Sequence, residues 1–444
     1  MAENSHNILI LGAGLVSGPI VELLLKDAEY RVVLADIDVR NAEKLLKGHP
    51  HGKAVKLDIG NHTALQELIN NADVVVSLVP YALHPTVAKA CINAKVSLVT
   101  ASYVSPAMGE LDRAARDAGI ILLNEIGLDP GIDHMSAMRI IHQIQKKGGT
   151  VTSFYSYCGG LPTPEDNNNP FGYKFSWSPK GVLLAGKNDA HYLKDGDQVD
   201  ISGVALFQHN WEVSLPSGEV YQTYPNRDSL SYIKTYGLEG IQTMFRGTLR
   251  NANWCETMDV VKKLGFLADA DADLGTTYSP RTLTAKISGL SESNLETEIV
   301  HKFRIGENGP EITALQWLGL FDATPREWRA NTPIDCLTAL MLEKMSYAPG
   351  ERDMVVLHHE FEAEFPHGRK KYFSTLKDFG IPDGHTAMAR TVTLPVGIAV
   401  KLIAGGQITA TGVQIPVIPE IYEPVLTELE KLGVAFDEQE ISID

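Results

Sequence analysis

Three glycines near the start of the chain, Gly12, Gly14 and Gly18, have the spacing of loops that bind phosphate groups. They interrupt an apolar run that then becomes amphipathic, which predicts a strand, a loop and a helix. Gly12 permits the sharp turn out of the strand, and Gly14 lets backbone N–H groups reach a pyrophosphate at the helix N-terminus. The loop is one residue longer than the commonest dinucleotide fingerprint, so by itself it is a weak signal.

A carboxylate at the end of the second predicted strand strengthens this signal. Strand 31–36 ends on Asp36, where an adenosine ribose lies in a dinucleotide-binding domain. Aspartate accepts hydrogen bonds from the 2′- and 3′-hydroxyls and repels a 2′-phosphate, which favours NAD over NADP. Two alternatives stay open. Arg40 is placed to pair with a phosphate of NADP, and Asp36 is placed to cap a helix that begins near Asp38.

The elements that must position these residues follow the pattern of a doubly wound parallel sheet. Residues 1–124 alternate six times between short apolar strands and amphipathic helices. In such a sheet, ligands bind beyond the carboxyl ends of the strands. The residues that follow the predicted strands are therefore candidates for binding the dinucleotide: Gly12, Gly14, Leu15, Val16, Asp36, Ile37, Asp58, Ile59, Leu78, Val79, Ala101, Ser102 and Leu128.

The composition narrows the class of protein. The 444 residues are 44% apolar and 21% charged, which is typical of a globular chain of two or three domains. A formal net charge of −16 without clustered Lys and Arg argues against binding to nucleic acid or to an anionic membrane. The N-terminus carries no signal-peptide pattern, so we expect a cytoplasmic protein.

The four cysteines give no sign of a metal site or a disulfide framework. Cys91, Cys158, Cys255 and Cys336 lie far apart, without the short spacing of a zinc motif. We therefore predict no metal. Three of the four are expected to be packed helix thiols.

The rest of the chain predicts a second type of architecture. From Thr150 the pattern changes to longer strands and loops, which indicates a mixed α+β domain. Residues 253–347 predict a mostly helical insert. A strand pattern at 354–365, an apolar segment at 386–404 and a polar helix at 421–432 follow.

Seven blocks of this sequence, in order, resemble the saccharopine dehydrogenases of the glutamate-forming kind. They are SLVPY (77–81), TASY (100–103), NEIGLDPGIDH (124–134), SYCGGLP (156–162), YKFSWS (173–178), YPNRDS (224–229) and RGTLR (246–250). The resemblance implies a Rossmann domain at 1–130 with a C-terminal return at about 390–444. It also implies a saccharopine-binding α/β domain at 131–252 and 348–389, which contributes to a homodimer contact, and a helical domain at 253–347.

The reaction that the resemblance implies is the oxidation of the secondary amine of saccharopine by NAD, with NADP possible. Water then splits the imine into L-glutamate and 2-aminoadipate 6-semialdehyde, and the reverse direction is equally open. Hydride leaves easily only when the amine lone pair is free, and an unperturbed secondary amine is mostly protonated near neutral pH. The site therefore needs a base or a desolvating pocket.

The resemblance places Asp129 and Cys158 nearest the substrate nitrogen, with Tyr103 beside them. Asp129 has a structural alternative as a helix N-cap. Cys158 follows a predicted strand and precedes two glycines, where we expect an exposed thiol, and its alternative is a small packing residue. His134 is a general-base candidate by its ordinary pKa, but a histidine in the opening turn of a helix is more often structural.

Three substrate carboxylates require local cations, and the planar fork of arginine suits a carboxylate best. Arg227 and Arg250 lie in blocks that the resemblance assigns to the substrate, and Lys174 is a weaker third. The structural alternative for each arginine is a surface ion pair. The remaining contacts implied are Ser102, Tyr103, Asp129, Thr248 and Leu249 for the substrate and Ser178 for the dinucleotide.

Two rival functions belong to other classes. A carboxynorspermidine dehydrogenase-like reductase of Schiff bases in polyamine synthesis would keep Gly12 to Asp36 but lose the two arginines. A non-catalytic, NAD-binding regulatory protein would lose the blocks around Asp129 and Cys158. The presence of both features in this sequence favours saccharopine as the substrate.

Overall fold

The first third of the chain alternates between strands and helices, as the sequence predicts. The structure is a computed structural model that describes residues 5–271 and 275–443. Apolar, β-branched strands are separated by helices that each bury one face. The elements are β1 (His6–Leu11), α1 (Gly18–Leu25), β2 (Tyr30–Asp36), α2 (Val39–Leu46), β3 (Gly52–Lys56), α3 (His62–Ile69), β4 (Val74–Ser77), α4 (His84–Ala94), β5 (Ser97–Val99), α5 (Pro106–Gly109), α6 (Asp112–Ala118), β6 (Ile121–Leu123) and α7 (Ile132–Lys146).

The next hundred residues are dominated by strands and include the longer ones that the sequence predicts. The elements are β7 (Thr150–Pro162), α8 (Pro179–Ala185), β8 (Ala190–Lys194), β9 (Asp197–Ile201), β10 (Trp211–Ser214), β11 (Val220–Pro225), α9 (Ser231–Thr235) and β12 (Thr243–Arg250).

The predicted helical stretch at 253–347 is confirmed for the described residues, and 272–274 lie outside them. Proline at the first helical position begins several of these helices, where its missing N–H costs nothing. The elements are α10 (Trp254–Lys263), β13 (Thr277–Tyr278), α11 (Pro280–Ser288), α12 (Leu295–Phe303), α13 (Pro310–Leu318), β14 (Arg326–Glu327) and α14 (Pro333–Lys344). Cys255 and Cys336 are buried in this region and Cys91 is buried in α4, so the three packed helix thiols are confirmed.

The last ninety residues contribute to both sheets. The elements are β15 (Asp353–Phe365), β16 (Gly368–Phe379), α15 (Ala387–Ala404), β17 (Gly412–Gln414), α16 (Pro419–Lys431) and β18 (Phe436–Ile443). By length and composition α15 is apolar enough to cross a membrane, but 72% of it is buried inside the protein. It packs against α1 and α16, which is the environment of a core helix.

A seven-stranded parallel sheet carries the phosphate loop. Its order is β17-β6-β5-β4-β1-β2-β3, so the winding reverses direction around β1, which pairs with β2 on one side and β4 on the other. Ligands bind at such a reversal in open α/β sheets. The C-terminal return completes this sheet, because β17 pairs in parallel with β6. The predicted Rossmann fold is confirmed.

The second large sheet has nine strands and is mixed. Its main order is β10-β11-β12-β7-β15-β16-β18, and β8 and β9 extend from β12. Strands β7 and β12 are parallel, whereas β10, β11 and β12 are antiparallel. Its core contains large, fully buried aromatic residues, including Phe171, Tyr173, Phe245 and Trp254.

The chain divides into two compact units. The first unit contains the chain up to Thr150, together with Phe365–His367 and Leu376–Glu438. The second contains Val151–Glu364, Gly368–Thr375 and the residues from Gln439 onward. These bounds differ from the expected domains in two respects. Helix α7 lies in the first unit, and the helices of 253–347 share one unit with the mixed sheet.

Candidate active site

The loop between β1 and α1 is shaped for close approach of a ligand to the backbone. Gly12 has a left-handed φ of +105°, and a Cβ there would lie 2.8 Å from the carbonyl oxygen of Leu78. Gly14 is exposed, and a Cβ there would meet no atom within 4 Å. In the described part of the chain, the N–H groups of Leu15 and Val16 have no hydrogen-bond partner. Two such donors beside the N-terminus of α1 suit a pyrophosphate.

Asp36 holds this loop, a role that sequence reasoning did not predict. Its Oδ2 accepts the N–H of Ala13 at 2.8 Å, and its Oδ1 accepts the N–H of Asp38 at 2.9 Å. The capping alternative belongs to Asp38, which is the N-cap of α2 and accepts the N–H of Arg40. The guanidinium of Arg40 is bound to Asp38 as well. A carboxylate has about four acceptor sites, so Asp36 keeps capacity for ribose hydroxyls.

The predicted dinucleotide contacts of the first unit lie at one edge of the parallel sheet, because carboxyl ends of parallel strands share an edge. Leu15 and Ile37 are apolar yet 75% and 68% exposed, which leaves them available to pack on a ligand. Two side chains are engaged elsewhere: Ile59 lies in the apolar core, and Asp58 accepts the N–H of Gly60 at 2.8 Å. The loop and the edge together fit a nicotinamide dinucleotide.

A buried histidine that the sequence reasoning missed joins two of these strand ends. His84 Nδ1 lies 2.8 Å from Ser77 Oγ, and its Nε2 lies 2.8 Å from Ser102 Oγ. Burial lowers the pKa of His84 to about 4, so the ring is neutral at physiological pH. One ring nitrogen therefore donates and the other accepts. This bridge fixes the hydroxyl of Ser102, a predicted contact of both dinucleotide and substrate.

The structure brings two of the three predicted catalytic residues together. The hydroxyl of Tyr103 donates to Asp129 Oδ1 at 3.1 Å, and both side chains are half-buried. Asp129 does not cap α7. That helix begins after Gly131. The N–H groups of Ile132 and Asp133 donate to the carbonyls of Gly127 and Leu128, and Asp133 Oδ1 accepts the N–H of Gly131 at 2.5 Å and that of His134 at 2.8 Å.

The expectation of an exposed thiol at Cys158 is wrong. Strand β7 does not end before this residue but continues to Pro162, and Cys158 is 8% exposed in mid-strand. The reason is Gly159, where a Cβ would lie 2.6 Å from the carbonyl oxygen of Leu249, so the glycine allows β7 and β12 to pack closely. Cys158 stands opposite Thr248 in the register of these strands. Cys158, Thr248 and Leu249 thus belong to one strand pair.

Arg250, at the end of β12, is a buried cation among aromatic rings. It is 4% exposed, and its guanidinium carbon lies 4.9 Å from the ring centre of Tyr173, 5.3 Å from Trp254 and 5.9 Å from Tyr224. Its Nη1 donates to the carbonyl of Leu249 at 2.8 Å, and its Nε has no hydrogen-bond partner within residues 5–271 and 275–443. Among the described residues, no carboxylate forms an ion pair with Arg250. Aromatic faces compensate a buried charge only in part.

The other predicted polar contacts of the second unit lie in different environments. Arg227 is exposed, in a turn with a left-handed φ of +54°. Lys174 is 3% exposed and is paired with Glu351 at 2.5 Å. Ser178 is exposed and caps α8, accepting the N–H of Gly181 at 3.2 Å. The charge of Lys174 is therefore already paired with a carboxylate of the protein, Glu351, unlike the charge of Arg250.

A second pair missed by sequence reasoning lies beside Tyr103. Glu125 and His134 are buried and bonded, with 2.9 Å between Glu125 Oε2 and His134 Nε2. The sequence carries a signal for Glu125, since it is a carboxylate close to the carboxyl end of a strand, as Asp36 is. His134, ranked below Asp129 as a base, has no exposed surface at all.

The parallel sheet, its phosphate loop and the edge residues define a dinucleotide-binding oxidoreductase. The family model described as "Saccharopine dehydrogenase NADP binding domain" matches residues 8–123, and the one described as "Saccharopine dehydrogenase C-terminal domain" matches residues 127–434. The chain belongs to the saccharopine dehydrogenase family.

Relatives match over the full length of the chain. A saccharopine dehydrogenase [NADP(+), L-glutamate-forming] of Schizosaccharomyces pombe is 39% identical over 98% of both chains. The mitochondrial alpha-aminoadipic semialdehyde synthase of Mus musculus is 38% identical over 98% of this chain and 48% of its own length. A solved structure of the L-Glu-forming saccharopine dehydrogenase of Saccharomyces cerevisiae superposes with a TM-score of 0.90 at 36% identity, covering 98% of this chain and all of that one.

Proposed function

We propose that this protein is an L-glutamate-forming saccharopine dehydrogenase of lysine metabolism. It oxidises the secondary amine of saccharopine, and water then cleaves the imine to L-glutamate and 2-aminoadipate 6-semialdehyde, or the reverse. When bound, the nicotinamide dinucleotide accepts or supplies the hydride. The observation that carries this proposal is Arg250, because a buried cation that pairs with no carboxylate of the described residues suits a substrate that brings three carboxylates.

The two arginines have different tasks in this proposal. Arg250 binds one substrate carboxylate, since its unpaired Nε and its aromatic surroundings leave the guanidinium edge to a ligand. Arg227 is exposed and binds a second carboxylate more weakly, because water screens its charge. Thr248 and Leu249 directly precede Arg250 in β12, and we propose that they contact the same carboxylate.

Asp129 is the group that receives the proton of the substrate amine. Its hydrogen bond to the Tyr103 hydroxyl fixes the orientation of the carboxylate. It also places the phenolic oxygen of Tyr103 as a second group that can exchange the proton. The same groups return a proton to the leaving amine when the carbinolamine collapses. Cys158 takes no covalent part, since hydride transfer and imine hydrolysis need no enzyme nucleophile, and its buried thiol serves to exclude water.

We further propose that the dinucleotide is NAD in preference to NADP. The carboxylate of Asp36 stands at the end of β2, where it accepts from ribose hydroxyls and repels a 2′-phosphate. Arg40, the nearest sequence candidate for pairing with that phosphate, is instead bonded to Asp38 at the surface. The fungal relative above is named for NADP(+), so the preference of this chain is a point of difference to be measured.

The test is a steady-state assay of the purified protein. Initial rates are measured with saccharopine and either NAD or NADP, and L-glutamate is identified among the products by mass spectrometry. We expect turnover with both dinucleotides and a higher kcat/KM with NAD. Absence of saccharopine turnover with either dinucleotide would overturn the activity. A preference for NADP would overturn only the cofactor proposal.

Two further proposals concern the setting of the enzyme. We propose a homodimer through the α/β unit, as implied by the resemblance, and a cytoplasmic location, supported by four buried cysteines that are all free thiols. Light scattering of the purified protein measures the first. Fractionation of the source cells measures the second.

A further inference from the structure

Glu125 is a buried carboxylate whose two oxygens have separate partners in the first unit. Oε1 accepts the N–H of Val104 at 2.9 Å, and Oε2 lies 2.9 Å from Nε2 of His134. The residue is 6% exposed. Burial of an acid is costly unless both oxygens are bonded, so this arrangement is specific to a side chain of this length.

The backbone of Glu125 contacts the same segment as its side chain. Its N–H donates to the carbonyl of Ser102 at 3.0 Å, while Oε1 accepts from Val104. Glu125 therefore binds the residue before Tyr103 and the residue after it. Its left-handed φ of +56°, which residues with a side chain rarely adopt, is part of this geometry.

Tyr103 lies between these two anchors and donates to Asp129 at 3.1 Å. His134 supports this arrangement. Its Nε2 is bonded to Oε2 of Glu125, and this bond fixes the direction in which Oε1 points. His134 is itself held in the first turn of α7, where its N–H donates to Asp133 at 2.8 Å. The path from α7 to the Tyr103 hydroxyl consists of direct bonds within one unit.

We propose that Glu125 is a positioning residue, which holds the segment from Ser102 to Val104 so that the hydroxyl of Tyr103 reaches Asp129. This rests on the proposed roles of Tyr103 and Asp129 in saccharopine oxidation. Glu125 acts by the reach of its side chain and not by its charge.

Two variants separate reach from charge. Glu125→Gln keeps the length and an amide oxygen for the N–H of Val104, and its NH₂ group meets His134, whose Nε2 accepts in the other tautomer. Glu125→Asp keeps the charge but is one methylene shorter and loses one partner. We expect kcat for saccharopine within about threefold of the unmodified protein for Glu125→Gln. For Glu125→Asp we expect a loss of about 10²-fold, the scale for a displaced catalytic group.

A double-mutant cycle with Tyr103→Phe gives the second readout. If Glu125 acts through Tyr103, adding Glu125→Asp to Tyr103→Phe lowers kcat by less than about threefold more. The affinity for the dinucleotide, measured by fluorescence titration, stays unchanged and shows that the first unit is folded. The matched control is Asp378→Asn, a buried acid of the same unit paired with Arg390, which leaves kcat unchanged.

The outcomes separate this inference from the function on which it rests. An unmodified protein that does not turn over saccharopine overturns the proposed function. If the unmodified protein turns over saccharopine but Glu125→Asp is more active than Glu125→Gln, only the positioning role is overturned. The activity would then depend on the charge of residue 125 and not on the length of its side chain. Multiplicative losses in the double variant overturn the positioning role as well.

Discussion

The dinucleotide edge of the first unit and the surroundings of Arg250 in the second differ in how their polar groups are satisfied. At the edge, the polar side chains are bonded to neighbouring groups: Asp36 to the backbone of Ala13, His84 to Ser77 and Ser102, and Tyr103 to Asp129. Around Arg250, the guanidinium is buried among rings and no carboxylate of the described chain pairs with it.

This difference indicates two ways of preparing a binding site. A site whose groups bond internally is rigid before the ligand arrives, and its residues stabilise the fold as well as the complex. A site built on an unpaired, buried charge costs stability in the free protein, and the ligand supplies the missing partner. Residues of the first kind are expected to affect stability and activity together. Arg250 is expected to affect them in opposite directions.

The largest expected effect is at Asp129. Replacing it by Ala removes the acceptor of the amine proton, and we expect kcat/KM for saccharopine to fall by about 10²–10⁴-fold, the usual contribution of a positioned acid–base group. Steady-state rates across pH measure this and should show an altered acidic limb. The control is Asp112→Ala, which removes a carboxylate bonded to Val413 and Arg116 elsewhere in the unit. A loss below about fivefold would assign Asp129 a structural role.

Arg250→Met sharpens the comparison most directly. It removes the buried charge and keeps an apolar side chain, so we expect kcat/KM for saccharopine to fall roughly 10²–10³-fold, the scale for loss of one member of a buried charged pair. The free energy of unfolding should stay equal or rise. Denaturant titration measures it. Arg227→Met, in the exposed turn, serves as the matched variant with a loss below about tenfold. If Arg250→Met also lowers stability, the charge is satisfied within the protein and the comparison fails.

The smallest expected effect is at Asp36. Asp36→Ala removes the acceptor of two backbone N–H groups, so we expect the free energy of unfolding to fall by about 1–2 kcal/mol. The ratio of kcat/KM values for NADP and NAD should rise by roughly tenfold, because a like-charge repulsion is lost. Asp73→Ala, which removes the acceptor for the N–H of Asn7, is the control that lowers stability without moving the ratio. An unchanged ratio would contradict the role in cofactor choice.

The parts of the molecule that the sequence predicts well are those set by local pattern. Alternating strands and helices, the phosphate loop and the carboxylate at the end of β2 are all encoded within short stretches of sequence, and the fold class follows from them. The helical stretch around α10 to α14 is likewise a matter of periodicity and of proline at helix starts.

The parts that sequence reasoning missed depend on distant neighbours. Cys158 was expected at the end of a strand, but Gly159 packs against Leu249, ninety residues along the chain, and the strand continues. The aromatic surroundings of Arg250 include the rings of Tyr173 and Tyr224, which are distant in the sequence. No local pattern reports such contacts.

The pairing of β17 with β6 in the parallel sheet has a consequence for synthesis of the chain. Strand β6 has an unpaired outer edge until β17 is synthesised, and β17 comes after Val151–Glu364 of the second unit in the sequence. In the folded unit, Gly412 donates to the carbonyl of Ile120, and Asn124 donates to that of Gln414. A ribosome therefore synthesises most of the second unit, namely Val151–Glu364 and Gly368–Thr375, before the first sheet is closed. During translation the edge of β6 stays unpaired until β17 is synthesised. An unpaired edge can pair with another chain, so we expect a chaperone or an already folded segment to cover it.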